Sequence, residues 1–336
     1  MKRLLAIALL CTLLPAPRGQ AADPAPPIGL NLPVACIPGQ TCWIFNYFDH
    51  DPGDGAKDYR CGAMTYDKHD GTDFALADYA AMRRGVPALA AAEGKVRFAR
   101  DGMDDVSFRE VPTEDINHRA CGNSVILDHE GGWSTQYCHM RKESVRVKPG
   151  DTVKEGQPIG LVGLSGLTEF PHLHIAVALG DKLIDPFVGS TAPSNCGATV
   201  KPLWKPAVQS VLDYKRGIPY IAGITDTLPS DKSARDGMIT ERDIDGATKA
   251  IYVWADFIGI EAGDTLTFRL EGPDSKLLGE RSQVLPSTKQ RLFRTAAYNL
   301  SGGRWAPGIY KAEITLTPRG GGAGWHNQAR REVTVR

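Results

Sequence analysis

Val125-Ile126-Leu127-Asp128-His129-Glu130-Gly131-Gly132-Trp133-Ser134-Thr135-Gln136-Tyr137 reads as two short strands around a glycine turn. Apolar and β-branched or aromatic residues stand on both sides, and the Glu130-Gly131-Gly132 break is a hairpin signal. Working outward, Val145-Arg146-Val147, Thr152-Val153 and Ile159-Gly160-Leu161-Val162 follow, separated by Pro149-Gly150-Asp151 and Glu155-Gly156-Gln157. Turn signals this regular predict an all-β barrel or sandwich over residues 61–196. Residues 100–119 interrupt that rhythm. Asp101, Asp104, Asp105, Glu110, Glu114 and Asp115 crowd one long loop there, either a solvated insert or a lid that selects cationic groups. Before residue 61, a Pro/Gly-rich stretch that turns aromatic at Trp43–Phe48 predicts an irregular N-terminal strap over 22–60. Four prolines (Pro202, Pro206, Pro219, Pro229) mark 197–237 as a linker.

Alternation returns over 238–336. Ile251, Val253 and Ala255 alternate with Tyr252, Trp254 and Asp256; Leu266, Phe268 and Leu270 form a second set, and Tyr310, Ala312, Ile314 and Leu316 a third. A small β-sandwich of immunoglobulin-like type is expected, with Trp254 as its core residue and Glu332–Arg336 as its last strand.

The 336 residues suit about two domains. Residues 1–21 have the form of a secretory signal peptide: Lys2 and Arg3, then the apolar run Leu4–Leu14, then small residues near Ala21. That run is too short to span a bilayer as a helix, which needs about 20 residues. No later segment is apolar enough to do so. Leu10 before Cys11 is larger than the small residue a lipid-attachment site expects. Export to the periplasm or the outside of the cell follows. Removing residues 1–21 takes away three cations and no acid, leaving 36 basic against 39 acidic residues, or −3. That balance gives no support to nucleic-acid binding. Six cysteines remain: Cys36, Cys42, Cys61, Cys121, Cys138 and Cys196. An even count in an exported chain reads as disulfides, and the lack of a CxxC pair speaks against a cysteine-ligated metal. Cys121 and Cys138 flank the open ends of the hairpin strands and are expected to pair. Cys36 and Cys42 would pin the strap.

Three segments carry chemistry: His69-Asp70-Gly71-Thr72-Asp73, Gln136-Tyr137-Cys138-His139 and Pro171-His172-Leu173-His174. On a strand, His172 and His174 face the same side, about 6–7 Å apart. His69 and Asp73 would lie about 13 Å apart on an ideal strand, too far to meet at one ion, so the backbone must bend, and Gly71 permits it. Two imidazoles and a carboxylate with an open fourth position make the pattern of a catalytic zinc. Each segment alone is incidental in most proteins; their co-occurrence within one β-rich stretch is what carries the reading.

The run from His69 to Phe187 resembles the lysostaphin-type peptidoglycan zinc endopeptidases. The resemblance rests on His69-Asp70-Gly71-Thr72-Asp73-Phe74-Ala75, on Val147 to Gly160, and on Gly163-Leu164-Ser165-Gly166 through Pro171-His172-Leu173-His174. It implies a mainly β fold: a lysostaphin-type β-sheet or barrel peptidase domain over 61–196, followed by the sandwich. It implies one zinc ion (Zn2+) per chain, held by His69, Asp73 and His174. His139 and His172 would be the unliganded catalytic histidines. It implies hydrolysis of peptide bonds in stem or cross-bridge peptides of peptidoglycan. Glu169-Phe170 before the last motif, and Ile175-Ala176 after it, depart from the family pattern without removing a ligand. The alternatives are a catalytically silent regulator or wall-binding protein of the same fold, and a peptidase acting on proteins. All five residues lie before residue 175, so the chemistry has no visible need of residues after about 205. The sandwich is expected to dock to wall, to a protein partner, or against the cleft.

Overall fold

A computed structural model describes residues 28–112, 118–191, 196, 201–320 and 327–336. The signal peptide, and Glu114 and Asp115 of the acidic loop, lie outside the described residues.

The first half contributes β1 (Cys42–Asn46), β2 (Thr72–Leu76), β3 (Pro87–Leu89), β4 (Gly94–Arg100), β5 (Asn123–Asp128), β6 (Trp133–Met140), β7 (Thr152–Val153), β8 (Pro158–Leu161), β9 (His172–Leu179), β10 (Lys182–Asp185) and β11 (Ser190–Thr191). They form an antiparallel sheet in the order β1-β2-β9-β6-β5-β4-β7, with β10 on β9, β11 on β10, and a separate β3–β8 pair. The β5–β6 hairpin stands where the glycine turn placed it, pairing Val125 with Tyr137 and Asp128 with Ser134. Val145–Val147 does not form a strand. Its backbone is held by single bonds, Val145 N–H to Asp101 and Arg146 N–H to the Ile159 carbonyl.

Within the 22–60 stretch, the described residues 28–60 are less irregular than the composition suggests. Leu30 and Val34 are fully buried, and β1 pairs along β2 from Cys42↔Leu76 to Asn46↔Asp73. Both faces of β1 are covered, so its sequence shows no alternation and carries no strand signal. Disulfides join Cys36 to Cys42, Cys61 to Cys196 and Cys121 to Cys138. The last pair spans 17 residues. Replacing both Cys121 and Cys138 by alanine should lower stability by about 3 kcal/mol, read by denaturant unfolding. An unchanged midpoint would contradict a structural role.

Three acids of the 100–119 loop are engaged. Asp101 accepts from the N–H groups of Glu143 and Val145, Asp105 accepts from those of Lys142 and Leu164, and Asp104 pairs with Lys142. They tie the loop to the 141–145 and 163–164 segments.

The C-terminal strands are β12 (Ile218–Thr225), β13 (Ala250–Ile260), β14 (Thr265–Glu271), β15 (Leu277–Val284), β16 (Lys289–Asn299), β17 (Gly308–Thr317) and β18 (Asn327–Val335). Sheet β12-β13-β16 faces sheet β15-β14-β17-β18, and the alternating residues expected to point inward do so: Ile251, Val253, Leu266, Phe268, Tyr310 and Ile314 share one core. Trp254 does not belong to that core. Two-residue periodicity sends it to the opposite face of β13, where it is buried against Gly223 and Phe293.

The described part of the proline-rich linker, residues 201–237, is packed into both halves. Leu203, Trp204, Val208 and Leu212 belong to the first core, and Ile218–Thr225 is a strand of the second. Trp43 and Phe45 of β1 meet Tyr220 and Ile258 in a further buried cluster. A cut near residue 205 would therefore remove Val208 and Leu212 from the first core and uncover β1. The expectation that everything after about 205 is dispensable is corrected on that ground.

Candidate active site

Strand β9 lies between β2 and β6, and the register decides what meets there. Asp73 of β2 stands directly opposite His174, and Ala75 opposite His172. On the other side Cys138 of β6 is opposite His174. Regular pleating would send His139, the next residue, to the far face. Its φ of 60° turns the chain instead. The backbone N–H of His139 donates to the Cys121 carbonyl, and its ring lies 4.6 Å from that of His172. A left-handed backbone at a non-glycine residue costs of order 1–3 kcal/mol and persists only where its surroundings impose it. Here the flanking disulfide and the bulge in the β5–β6 register do so.

Each of the four histidines is oriented by a partner that can only accept. His69 Nδ1–H donates to the Tyr47 carbonyl (2.6 Å), His139 Nδ1–H to the Ser165 carbonyl (2.8 Å) and His172 Nδ1–H to the Phe170 carbonyl (2.9 Å). Their Nε2 lone pairs are left for the cleft. His174 is reversed: Nε2–H meets Asp70 at 3.2 Å, so Nδ1 carries the lone pair. Asn46 donates to Asp73 Oδ2 at 2.8 Å, leaving Oδ1 to face the rings.

The result is a triangle of acceptors. His69 Nε2, Asp73 Oδ1 and His174 Nδ1 are 3.2, 3.1 and 3.0 Å apart pairwise, all on buried residues. Three lone pairs that close repel one another unless a cation stands between them. A tetrahedral ion with bonds of about 2.0–2.1 Å needs donors about 3.3 Å apart. Nitrogen and carboxylate donors at this spacing fit zinc. Among the described residues His69, Asp73 and His174 form a group able to hold a metal ion. His172 Nε2 stands 3.4 Å from Asp73 Oδ1, beside this triangle.

Burial and the neighbouring charged groups set the protonation of these residues. Burial opposes charge on Asp73, yet the neighbouring rings of His69, His172 and His174 hold its carboxyl well below the usual range whenever they carry protons toward it. Burial likewise opposes charge on His174, but hydrogen bonds to Asp70 and Asp73 push its pKa up to about 9, so ligation of a metal by Nδ1 would displace a proton from it. Burial and the neighbouring rings of His172 and His174 depress His139, which stays neutral. Asp70 and Asn46, the orienting partners, had no assigned role in the sequence reading. Asp70 sits inside the first motif, but Asn46 comes from a strand 27 residues earlier and gave no signal.

Gly71 is required by space. A Cβ there would lie 2.5 Å from the Ile175 carbonyl oxygen and 2.6 Å from His174 Nε2. Gly71→Ala should displace the His174 ring and weaken metal binding by about 10–100-fold, measured by competition with a chelator. Unchanged affinity would show that the ring does not need this contact.

The stretch that carries these residues matches a known family model. Residues 67–186 match the model of Peptidase family M23. Among curated proteins, the chain is 32% identical over 117 residues to Peptidoglycan DD-endopeptidase ShyB of Vibrio cholerae, covering 35% of this chain and 22% of that protein. It is 35% identical over 106 residues to Peptidoglycan DD-endopeptidase ShyA of the same organism, covering 32% and 19%. The chain thus spans about a fifth of the length of these relatives. Among solved structures, the catalytic domain of the antimicrobial peptidase lysostaphin from Staphylococcus simulans aligns at 25% identity over 42% of this chain and 85% of that one, with a TM-score of 0.28.

Proposed function

Residues 67–186 are an M23 peptidase domain, and from that premise we propose that the chain is an exported zinc endopeptidase hydrolysing peptide bonds in peptidoglycan. One observation carries the reading: three buried lone pairs converge at metal spacing, beside two further histidines whose Nε2 atoms are free for chemistry. His69, Asp73 and His174 would hold the ion. Zinc, when bound, supplies Lewis-acid polarisation of a carbonyl and activation of water.

The remaining work falls to the chain's own groups. His139, neutral and fixed through Nδ1–H, can accept a proton at Nε2 and later return it to a leaving amine. His172, fixed in the same way and 4.6 Å away ring to ring, also turns its Nε2 to the cleft, and in its imidazolium form it would donate from Nε2–H to a carbonyl oxygen as charge develops there. Asn46 and Asp70 hold two of the ligands against rotation.

The sacculus is supported as substrate by the names of the relatives, both peptidoglycan DD-endopeptidases. Export is supported by the N-terminal signal pattern and by three disulfides, which persist in oxidising compartments. Among the described residues no helix is long and apolar enough to cross a membrane. A silent regulator of the same fold would lack the metal or one of the two free histidines. Release of soluble fragments from purified sacculi, lost with a zinc chelator and restored by zinc, is the expected behaviour. Sacculi left intact by zinc-loaded protein would favour the regulator.

A further inference from the structure

The C-terminal sandwich does more than sit beside the peptidase domain. A cavity of about 900 Å³ has Asn46, Asp73 and His172 on one side and Thr288, Lys289, Gln290 and Arg291 on the other. The second set is Thr288 and the first three residues of strand β16. It is pinned in place by contacts across the junction: Gln290 Nε2 donates to the Thr65 carbonyl at 2.7 Å, and Tyr220 and Ile258 pack on Trp43 and Phe45. Arg291 is held from behind by Asp256, by Asp231 and by the Tyr220 hydroxyl.

The charges along this cavity are unequal in their commitments. Glu169 is paired with Arg109 at 2.7 Å, and Asp73 is buried among the histidines. Arg235 shares Asp231 with Arg291, and both are satisfied internally. Lys289 is exposed and lines the cavity, and no carboxylate pairs with it among the described residues. The described acids of the 100–119 loop do not line the cavity: Asp101, Asp104 and Asp105 are spent on Lys142 and on backbone N–H groups, and Glu110 lies outside the lining. The uncommitted charge facing a bound peptide is therefore positive.

We propose that the sandwich forms the outer wall of the substrate cleft, and that Lys289 selects peptides carrying a free carboxylate near the scissile bond. This rests on the endopeptidase reading and names the chemistry of its substrate: an acidic peptide, not a cationic one. An ammonium–carboxylate contact within a partly desolvated groove adds affinity and fixes register.

The test is calorimetric titration of the full chain with a short cross-linked stem peptide in two forms, free acid and amide. Wild type is expected to hold the acid about 10-fold more tightly than the amide. Lys289→Ala should bring that ratio to about 3 or less, and Lys289→Glu should invert it. Lys276→Ala makes the same change of net charge at an exposed turn that does not line the cavity, and it should keep the wild-type ratio. Equal binding of acid and amide by wild type would overturn the proposal. So would a ratio that survives Lys289→Ala, or one that Lys276→Ala lowers as much. Turnover of the same peptides is read in parallel. A wild type that prefers the acid yet cuts neither form supports the wall and contradicts the endopeptidase reading, so the two fail separately.

Discussion

His174→Ala protein is expected to fold, to purify without zinc and to lose hydrolysis beyond the about 10²–10⁴-fold that removal of one positioned acid–base group costs. The argument is geometric. His174 Nδ1 is one corner of the acceptor triangle, 3.0 Å from Asp73 and 3.1 Å from His69. Two donors on one flank leave no closed three-point site, and structural or catalytic zinc binding depends on ligand number. Folding should survive, because the core beneath β9 is built by Leu173, Ile175 and Val177, which face away from the triangle. Asp70→Asn gives the graded counterpart. It keeps all three ligands but weakens the acceptor that fixes the His174 tautomer, and it should reduce zinc affinity by about 10–100-fold. Metal analysis after gel filtration distinguishes these outcomes. A His174→Ala protein with a full zinc complement would refute the ligand assignment.

His139→Ala and His172→Ala are expected to keep zinc and lose about 10²–10⁴ in kcat. Neither ring is a corner of the triangle, and both are tethered through Nδ1 to backbone carbonyls that survive the substitution. The two differ in how their positions are made. His172 follows from the period-2 pattern of β9. His139 reaches the cleft only through its left-handed backbone, held by the Cys121 carbonyl and the Cys121–Cys138 bond. Reduction of that disulfide should therefore lower activity in wild type while the metal is retained. Wild-type turnover by either alanine variant would sink the assignment of roles.

What could be read from the sequence was what depends on short spacing. His172 and His174 share a face because they are two apart on a strand, and Asp73 follows a glycine that lets the chain pass close to β9. The hairpin was legible because Gly131-Gly132 interrupts two β-rich runs. Asn46 was not, since its strand is covered on both faces and shows no alternation. Gly71 was read as a bend, but its role is to leave room for the Ile175 carbonyl and the His174 ring. Trp254 was expected in the sandwich core, although its place in the alternation sends it to the other face. The packing of Tyr220 and Ile258 onto β1 joins residues some 170 or more positions apart, and no local pattern announces such a contact. For that reason the cleft wall at 288–291 was invisible, while the metal triangle beneath it was not.

The central claim is that a metal held by His69, Asp73 and His174 serves peptide hydrolysis in the wall. Mass spectrometry of sacculi incubated with zinc-loaded protein tests it most directly. The account predicts fragments that carry one new amino group and one new carboxyl group at a single peptide linkage, with glycan strands uncut, and none of these fragments from the His174→Ala protein. Cleavage of glycan linkages, or the same peptide fragments released equally by His174→Ala, would contradict it.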